Sequence, residues 1–347
     1  MVQPNIPAVP VQIKQKSRTW AAWLIIVFGT GLLFLLMAFS ITKGAAELPL
    51  QTVWNALFHF DAEDTSHLIV VDLRLPRVIA SALVGAAFAV AGAVMQGVTR
   101  NPMADSGLMG LNAGAGFTLS ICFAFFPGLS YLETMLFSFI GASIGAALVN
   151  GIASLRRGGA TPMRLVLAGA AVSALLAALS QGIALYFDVA QNIMFWTVGG
   201  VAGSTWEQVK IMAPFIGAAL LGVIAFSRSI SIMSLGEDVA KGLGLNTVLV
   251  KLLCSAVVLI LAGSSVAVVG SVGFVGLVVP HLARFLVGRD YRWIIPSSAV
   301  LGSILVVLAD LWARMLNPPF ETPIGALISL IGVPFFLYLA RRERRAL

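Results

Sequence analysis

The feature that most constrains this chain is an apolar run of about 20 residues, bounded by charges or turn residues, that recurs ten times. The runs lie near 20–41, 78–98, 108–127, 132–154, 165–187, 207–226, 248–269, 272–287, 294–312 and 323–340. Segments of this length cross a hydrocarbon core of roughly 30 Å, where every backbone polar group must find its partner within the protein. No alternating apolar/polar pattern of a barrel strand is present, so the runs are expected to be helices. The expectation is an all-α, polytopic integral membrane protein with about ten transmembrane helices, forming one domain over residues 1–347. Composition agrees: 59% of residues are hydrophobic, 11% are charged and the mean hydropathy is +0.96, far outside the soluble range. The first run follows Lys14, Lys16 and Arg18 and exceeds a secretory h-region, which makes it a retained span behind an N-terminal tail of residues 1–18. The apolar stretch 191–203 is too short to cross and reads as a re-entrant or interfacial piece.

An even number of spans puts both termini on one side, and the basic residues choose the side. Of 22 lysines and arginines, 17 fall on the side of the termini, and only Lys43, Arg74, Arg77, Lys210 and Arg314 fall opposite. The acids run the other way, with 10 of 15 on the opposite side. The termini are therefore expected to be cytoplasmic, and the net charge of +7 reflects this bias without calling for a nucleic-acid partner. Cys122 and Cys254 lie inside apolar runs, as small buried hydrophobes do. His59, His67 and His281 are too scattered to suggest a metal site, and no cofactor is implied.

Between two of the runs lies a polar, glycine-punctuated island, SLGEDVAKGLGLN, residues 234–246. At helical spacing Leu235, Val239 and Leu243 form an apolar stripe, and Gly236, Ala240 and Gly244 form a stripe of very small residues. Glu237 and Asp238 come early and Lys241 late, which suits the dipole of a short helix. At the other side, DLRLPR at 72–77 sets two arginines three apart around a proline that opens the next helix. Both are expected to point into the external medium. Asp310 and Arg314 are spaced to pair along one helix.

Catalytic motifs are missing from the sequence. No G-x-x-x-x-G-K-[ST] phosphate loop occurs, and no nucleophile, base and acid are arranged as a hydrolase needs. The chain is expected not to be an enzyme.

LRLPRVIASALVGAAFAVAGAVMQGVTRNPMADSGLMGLNAGAGF at 73–117 resembles the signature of the FecCD-type permeases, membrane subunits of bacterial ABC importers for iron-siderophores, heme and cobalamin. LGEDVAKGLGL at 235–245, AGSSVAVVGSVGFVGLVVPHLAR at 262–284, and ADLWARML with ETPIGALISLIGVPFF inside 309–336 are similar to later parts of the same family. The likeness spans about residues 20–340. It implies the type II ABC importer architecture: ten spans per subunit, a pore shared with a second permease subunit, identical or paralogous, and ATP hydrolysis by two separate cytoplasmic subunits. An external substrate-binding protein would deliver an iron-siderophore or similar large chelate across the bacterial cytoplasmic membrane.

The same resemblance assigns residues. It makes 235–245 a loop coupling to the ATPase through Leu235, Gly236, Glu237, Asp238, Ala240, Leu243 and Gly244, where the small stripe is expected to let the partner come close. It makes Asn101, Pro102 and Met103 a cytoplasmic gate facing Thr161, Pro162 and Met163. Relatives commonly carry small hydroxyl residues in that second loop, so Thr161, Pro162 and Met163 depart from the pattern. Finally, it makes Arg74, Arg77 and Arg314 receivers for acidic residues of the binding protein. The alternative from another class is an ion-coupled secondary transporter working without an ATPase, which needs ionisable groups deep in the membrane. Glu133, Asp188 and Asp310 lie instead at span ends.

Overall fold

The computed structural model describes residues 18–344 except 45–46, 106, 108–109, 156–161, 192, 195–199, 271 and 319. Among the described residues there is no strand. In chain order the helices are α1 (Thr19–Thr42), α2 (Leu50–Phe58), α3 (Thr65–Thr99), α4 (Leu111–Phe125), α5 (Tyr131–Ser154), α6 (Pro162–Tyr186) and α7 (Trp206–Ala225). There follow α8 (Ser227–Met233), α9 (Glu237–Gly242), α10 (Thr247–Val269), α11 (Val275–Val287), α12 (Tyr291–Met315) and α13 (Ile324–Arg344).

Each of the ten apolar runs carries a helix, but their lengths differ from expectation. Among the described residues seven helices are long and apolar enough to cross a membrane, while α4, α11 and the apolar part of α13, Ile324–Tyr338, are shorter. Helices α4 and α11 begin at Leu111 and Val275, inside the apolar runs, for a backbone reason. Gly110 sits at φ 75 before α4, and Gly270 at φ 70 and Phe274 at φ 67 come before α11. These left-handed conformations break a helix. Of the stretch 191–203, only part lies within the described residues; there the Gly200 amide donates to the Val269 carbonyl at 2.9 Å and Val201 is buried.

The molecule is organised around α3, whose apolar window is 78% buried, against 11% for α1. Helices α10, α11 and α12 surround it, and the approaches are glycine to glycine. Gly85 meets Gly302, and Gly92 meets Gly276, so closely that a Cβ on any of them would strike the facing backbone. Close backbone contact of this kind is how membrane helices associate without a hydrophobic drive.

Long-range bonds define two faces. The Arg18 amide donates to the Val287 carbonyl at 3.0 Å and Arg284 Nη2 to Gln96 Oε1 at 2.8 Å, so the start of α1 and the ends of α3 and α11 share one face, called here the termini face. Arg77 and Asp310 join the start of the buried part of α3 to the end of α12 on the far face.

Candidate functional site

On the far face, α3 runs straight through Pro76, where the sequence suggested a helix start. Residues Ile69–Arg74 form a π-helical turn, in which the Leu75 amide reaches back five residues to the Val70 carbonyl. Pro76 has no amide to offer the next carbonyl, that of Val71, and the indole Nε1 of Trp206 donates to it at 2.8 Å. The helix therefore continues, and its arginines turn inward. Arg74, Arg77 and Arg314 are only 7%, 7% and 8% exposed, which corrects the expectation that the first two point into the medium.

Their partners are specific. Arg77 Nε and Nη2 hold Asp310 Oδ1 at 2.9 and 2.8 Å, and its outer edge holds both oxygens of Glu321, which is the bidentate geometry guanidinium favours. Asp310, wholly buried, also pairs with Arg314 at 2.9 Å, the spacing along one helix read from the sequence. Arg314 reaches the Lys43 carbonyl at 3.2 Å and the Ser40 hydroxyl, and Arg74 donates to the Ile41 carbonyl at 2.6 Å. One ion network thus ties α1, α3, α12 and the α12–α13 link. Only Glu321, with 44% of its side chain exposed, opens to solvent.

On the termini face, the island folds as expected into a short helix, α9, between two glycine hinges. Gly236 lies at φ 134 and Gly244 at φ 79. The Leu245 amide donates to the Ala240 carbonyl at 3.0 Å and the Gly244 amide to the Lys241 carbonyl at 2.9 Å, a Schellman ending that needs the left-handed glycine. The orientation reverses one expectation. Ala240 is 0% exposed, facing its own chain, while Leu235, Val239 and Leu243 are 66%, 48% and 65% exposed. Gly236 and Ala240 of the small stripe let α9 settle on the bundle while Gly244 stays exposed, and the apolar stripe is what α9 presents outward. Glu237 is not a free acceptor either: Lys251 holds it at 2.6 Å and Lys241 at 3.2 Å, and these bonds lower its carboxyl to about 2. Asp238 is exposed.

The segment after α3 begins with Arg100 in the left-handed region, φ 54, as the helix cap. Asn101 Oδ1 accepts from the Met103 amide at 2.9 Å and the Asn101 carbonyl from the Ala104 amide at 3.1 Å, a tight turn around Pro102. The chain then folds into the bundle, where Asp105 is 8% exposed and its carboxylate lies against Gly276 in the first turn of α11. Between this segment and α9 is a cavity of about 750 Å³, with Asn101, Met103 and Asp105 on one wall and Glu237, Lys251 and Cys254 on the other. Of the opposing loop, Thr161 lies outside the described residues, and Pro162 and Met163 open α6, with their side chains outside the description.

Asp105 and Glu321 were not singled out from sequence. Asp105 carries one signal, as the only acid between Asp72 and Glu133. Glu321 carries none, because its partner Arg77 is 244 residues away.

Comparison with known proteins bears on the whole arrangement. The chain is 53% identical over 345 residues to the iron(3+)-hydroxamate import system permease protein FhuB of Bacillus subtilis (strain 168), covering 99% of this chain and 89% of that one. It is 41% identical to the iron-uptake system permease protein FeuB of the same organism, covering 94% and 98%. Against the ferric enterobactin transport system permease protein FepD of Escherichia coli (strain K12) the figures are 37%, 91% and 95%. A solved structure described as an inward-facing conformation of a putative metal-chelate type ABC transporter superposes with a TM-score of 0.78 at 28% identity, covering 92% of this chain and 99% of that one. The family model described as FecCD transport family matches residues 32–342, and this chain belongs to that family.

Proposed function

We propose that this chain is the permease subunit of an ATP-binding-cassette importer for an iron-siderophore or similar large chelate, in the bacterial cytoplasmic membrane with both termini inside. The observation that carries the coupling part is the outward apolar row Leu235, Val239 and Leu243 along α9 and its two ends, on a helix whose Glu237 lines the same cavity as Asn101 and Met103. Two cytoplasmic ATPase subunits would seat these rows, one from each of two permease subunits. Their closure would push α9 towards the cavity and alternate access to the shared pore, an equilibrium biased by different contacts in two states. At the external face the binding protein would bring a carboxylate to Arg77. Arg77 is buried and its outer nitrogens are held by the half-exposed Glu321, so docking would proceed by exchange of one carboxylate for another.

The test is Leu235→Ser/Val239→Ser/Leu243→Ser in the purified permease. It should keep its helix content and lose co-purification with the ATPase and ATP-driven uptake in proteoliposomes; retained coupling would refute the assignment of this face. For the gate, Met103→Cys should cross-link across the pore in the closed state and not in the open one. An ion-coupled carrier would instead show uptake that ignores ATP and collapses with the proton gradient.

A further inference from the structure

The short helix α2, between α1 and α3, belongs to neither the ion network nor the termini-face cavity, and it has three distinct sides. At about 100° per residue, Val53 and Ala56 share one side, Gln51, Thr52 and Asn55 a second, and Leu50, Trp54, Leu57 and Phe58 a third. The first side is buried in the protein, packed in one cluster with Ile41, Val70 and Val78. The third side is open: Leu50 is 67%, Trp54 59%, Leu57 44% and Phe58 62% exposed, with the Trp54 and Phe58 rings paired at 4.4 Å. No residue of the helix is charged.

The height of α2 along the bundle is fixed by what it touches. Ile41 is the last residue but one of α1, and its carbonyl accepts from Arg74. The 24 residues of α1 span about 36 Å, slightly more than the roughly 30 Å hydrocarbon core. The Ile41 level is therefore where the spans leave the hydrocarbon. That is the zone in which tryptophan and amphipathic helices gain most from a membrane.

From these observations we propose that α2 is a foot lying in the interfacial layer of the far-face leaflet. Leu50, Trp54, Leu57 and Phe58 enter the lipid, Gln51 and Asn55 face water, and Val53 and Ala56 bind the bundle. An uncharged helix with an aromatic pair and a polar upper side suits a lipid surface. A docked soluble protein would ordinarily meet a face carrying some polar groups for specificity. Through α2, the headgroup region would bear on the π-helical turn of α3 and on Arg74.

The experiment uses single-cysteine variants of the full chain in which the buried Cys122 and Cys254 are replaced by alanine. Gln51→Cys, Trp54→Cys and Leu57→Cys are labelled with a nitroxide in nanodiscs of phosphatidylethanolamine and phosphatidylglycerol. Labels at 54 and 57 should be accessible to oxygen and shielded from a water-soluble nickel chelate by at least fivefold relative to the label at 51. Equal nickel access at all three positions would overturn the proposal and make the patch a site for a soluble partner. Shielding of 54 and 57 from both reagents would overturn it in favour of cover by a second copy. Should a label disturb folding, the unlabelled protein gives a second readout. The emission lost in Trp54→Phe should be quenched by lipids brominated near the headgroup, and an unquenched Trp54 would sink the idea. Neither measurement depends on which solute is carried.

Discussion

The two ends of α3 are built on opposite principles. At its far-face end, Arg77 has every guanidinium nitrogen engaged by acids that come from 233 and 244 residues away, and the network extends to the last residues of α1. At its other end, Gln96 still holds α11 through Arg284, but beyond it Arg100 caps the helix with a guanidinium nitrogen close to Gly236, Asn101 turns on itself, and a cavity of about 750 Å³ lies beside this segment, α9 and α10. Between them, the glycine contacts with α11 and α12 hold the middle of α3 as one block. A rod clamped at one end and hollow around the other yields at the hollow end. The part of the molecule free to rearrange is therefore the part nearest α9.

The largest effect should come from the block itself. Gly92→Leu drives a side chain into the Gly276 carbonyl, and backbone cannot retreat as a flexible side chain does. The expected cost exceeds the roughly 3 kcal/mol ordinary for overpacking, and the variant should give no monodisperse protein on gel filtration. Gly182→Leu is the control, since nothing lies within 4 Å of a Cβ there. A well-behaved Gly92→Leu would break the claim of a rigid middle.

Next in size is the clamp. Asp310→Ala leaves the buried Arg314 without its acid and Arg77 with Glu321 alone, and losing one member of a buried charge set costs about 3–5 kcal/mol. Lys251→Met, at the other end, removes a cation that is 43% exposed and should cost about 0–1 kcal/mol. Denaturant or thermal unfolding of the two variants in one detergent checks the contrast, which fails if the costs are equal. Glu321→Gln should destabilise far less than Asp310→Ala, because Glu321 is half in solvent. On the carboxylate-exchange proposal it should also speed association of the external partner.

How much of this was legible in the sequence follows from the range of each interaction. The ten helices were legible because apolar runs are local, and so was α9, whose glycines, early acids and late lysine all lie within eleven residues at 235–245. The Asp310 and Arg314 pair was legible because helical spacing alone brings the two together. What could not be read depends on distant partners. Arg77 looked like an external residue because its two acids are more than 230 positions away, and the passage of α3 through Pro76 depends on the indole of Trp206. The two faces of α9 were also out of reach. Spacing separates an apolar stripe from a small one, but which of them meets the bundle is decided by how closely α9 must approach its own chain. Ala240 permits that approach and the leucines do not.

The smallest effect concerns acidity at the hollow end. Hydrogen bonds from Lys251 and then Lys241 lower the Glu237 carboxyl from its ordinary 4.5 to about 2. A lowered acid stabilises the folded arrangement fully above its ordinary value, and that contribution is lost as pH falls from 4.5 towards 2. Above pH 5 the hold of α9 on α10 should therefore be insensitive to pH, and below about 4 it should weaken. The measurement is amide hydrogen exchange of residues 237–245 from pH 6 to pH 3, corrected for the intrinsic rate at each pH. Protection in wild type should fall across the lower part of that range, while Glu237→Gln should start lower and stay flat. If protection in wild type is as flat as in the variant, the lysine clasp does not hold α9, and the hollow end is kept in place by the burial of Ala240 alone.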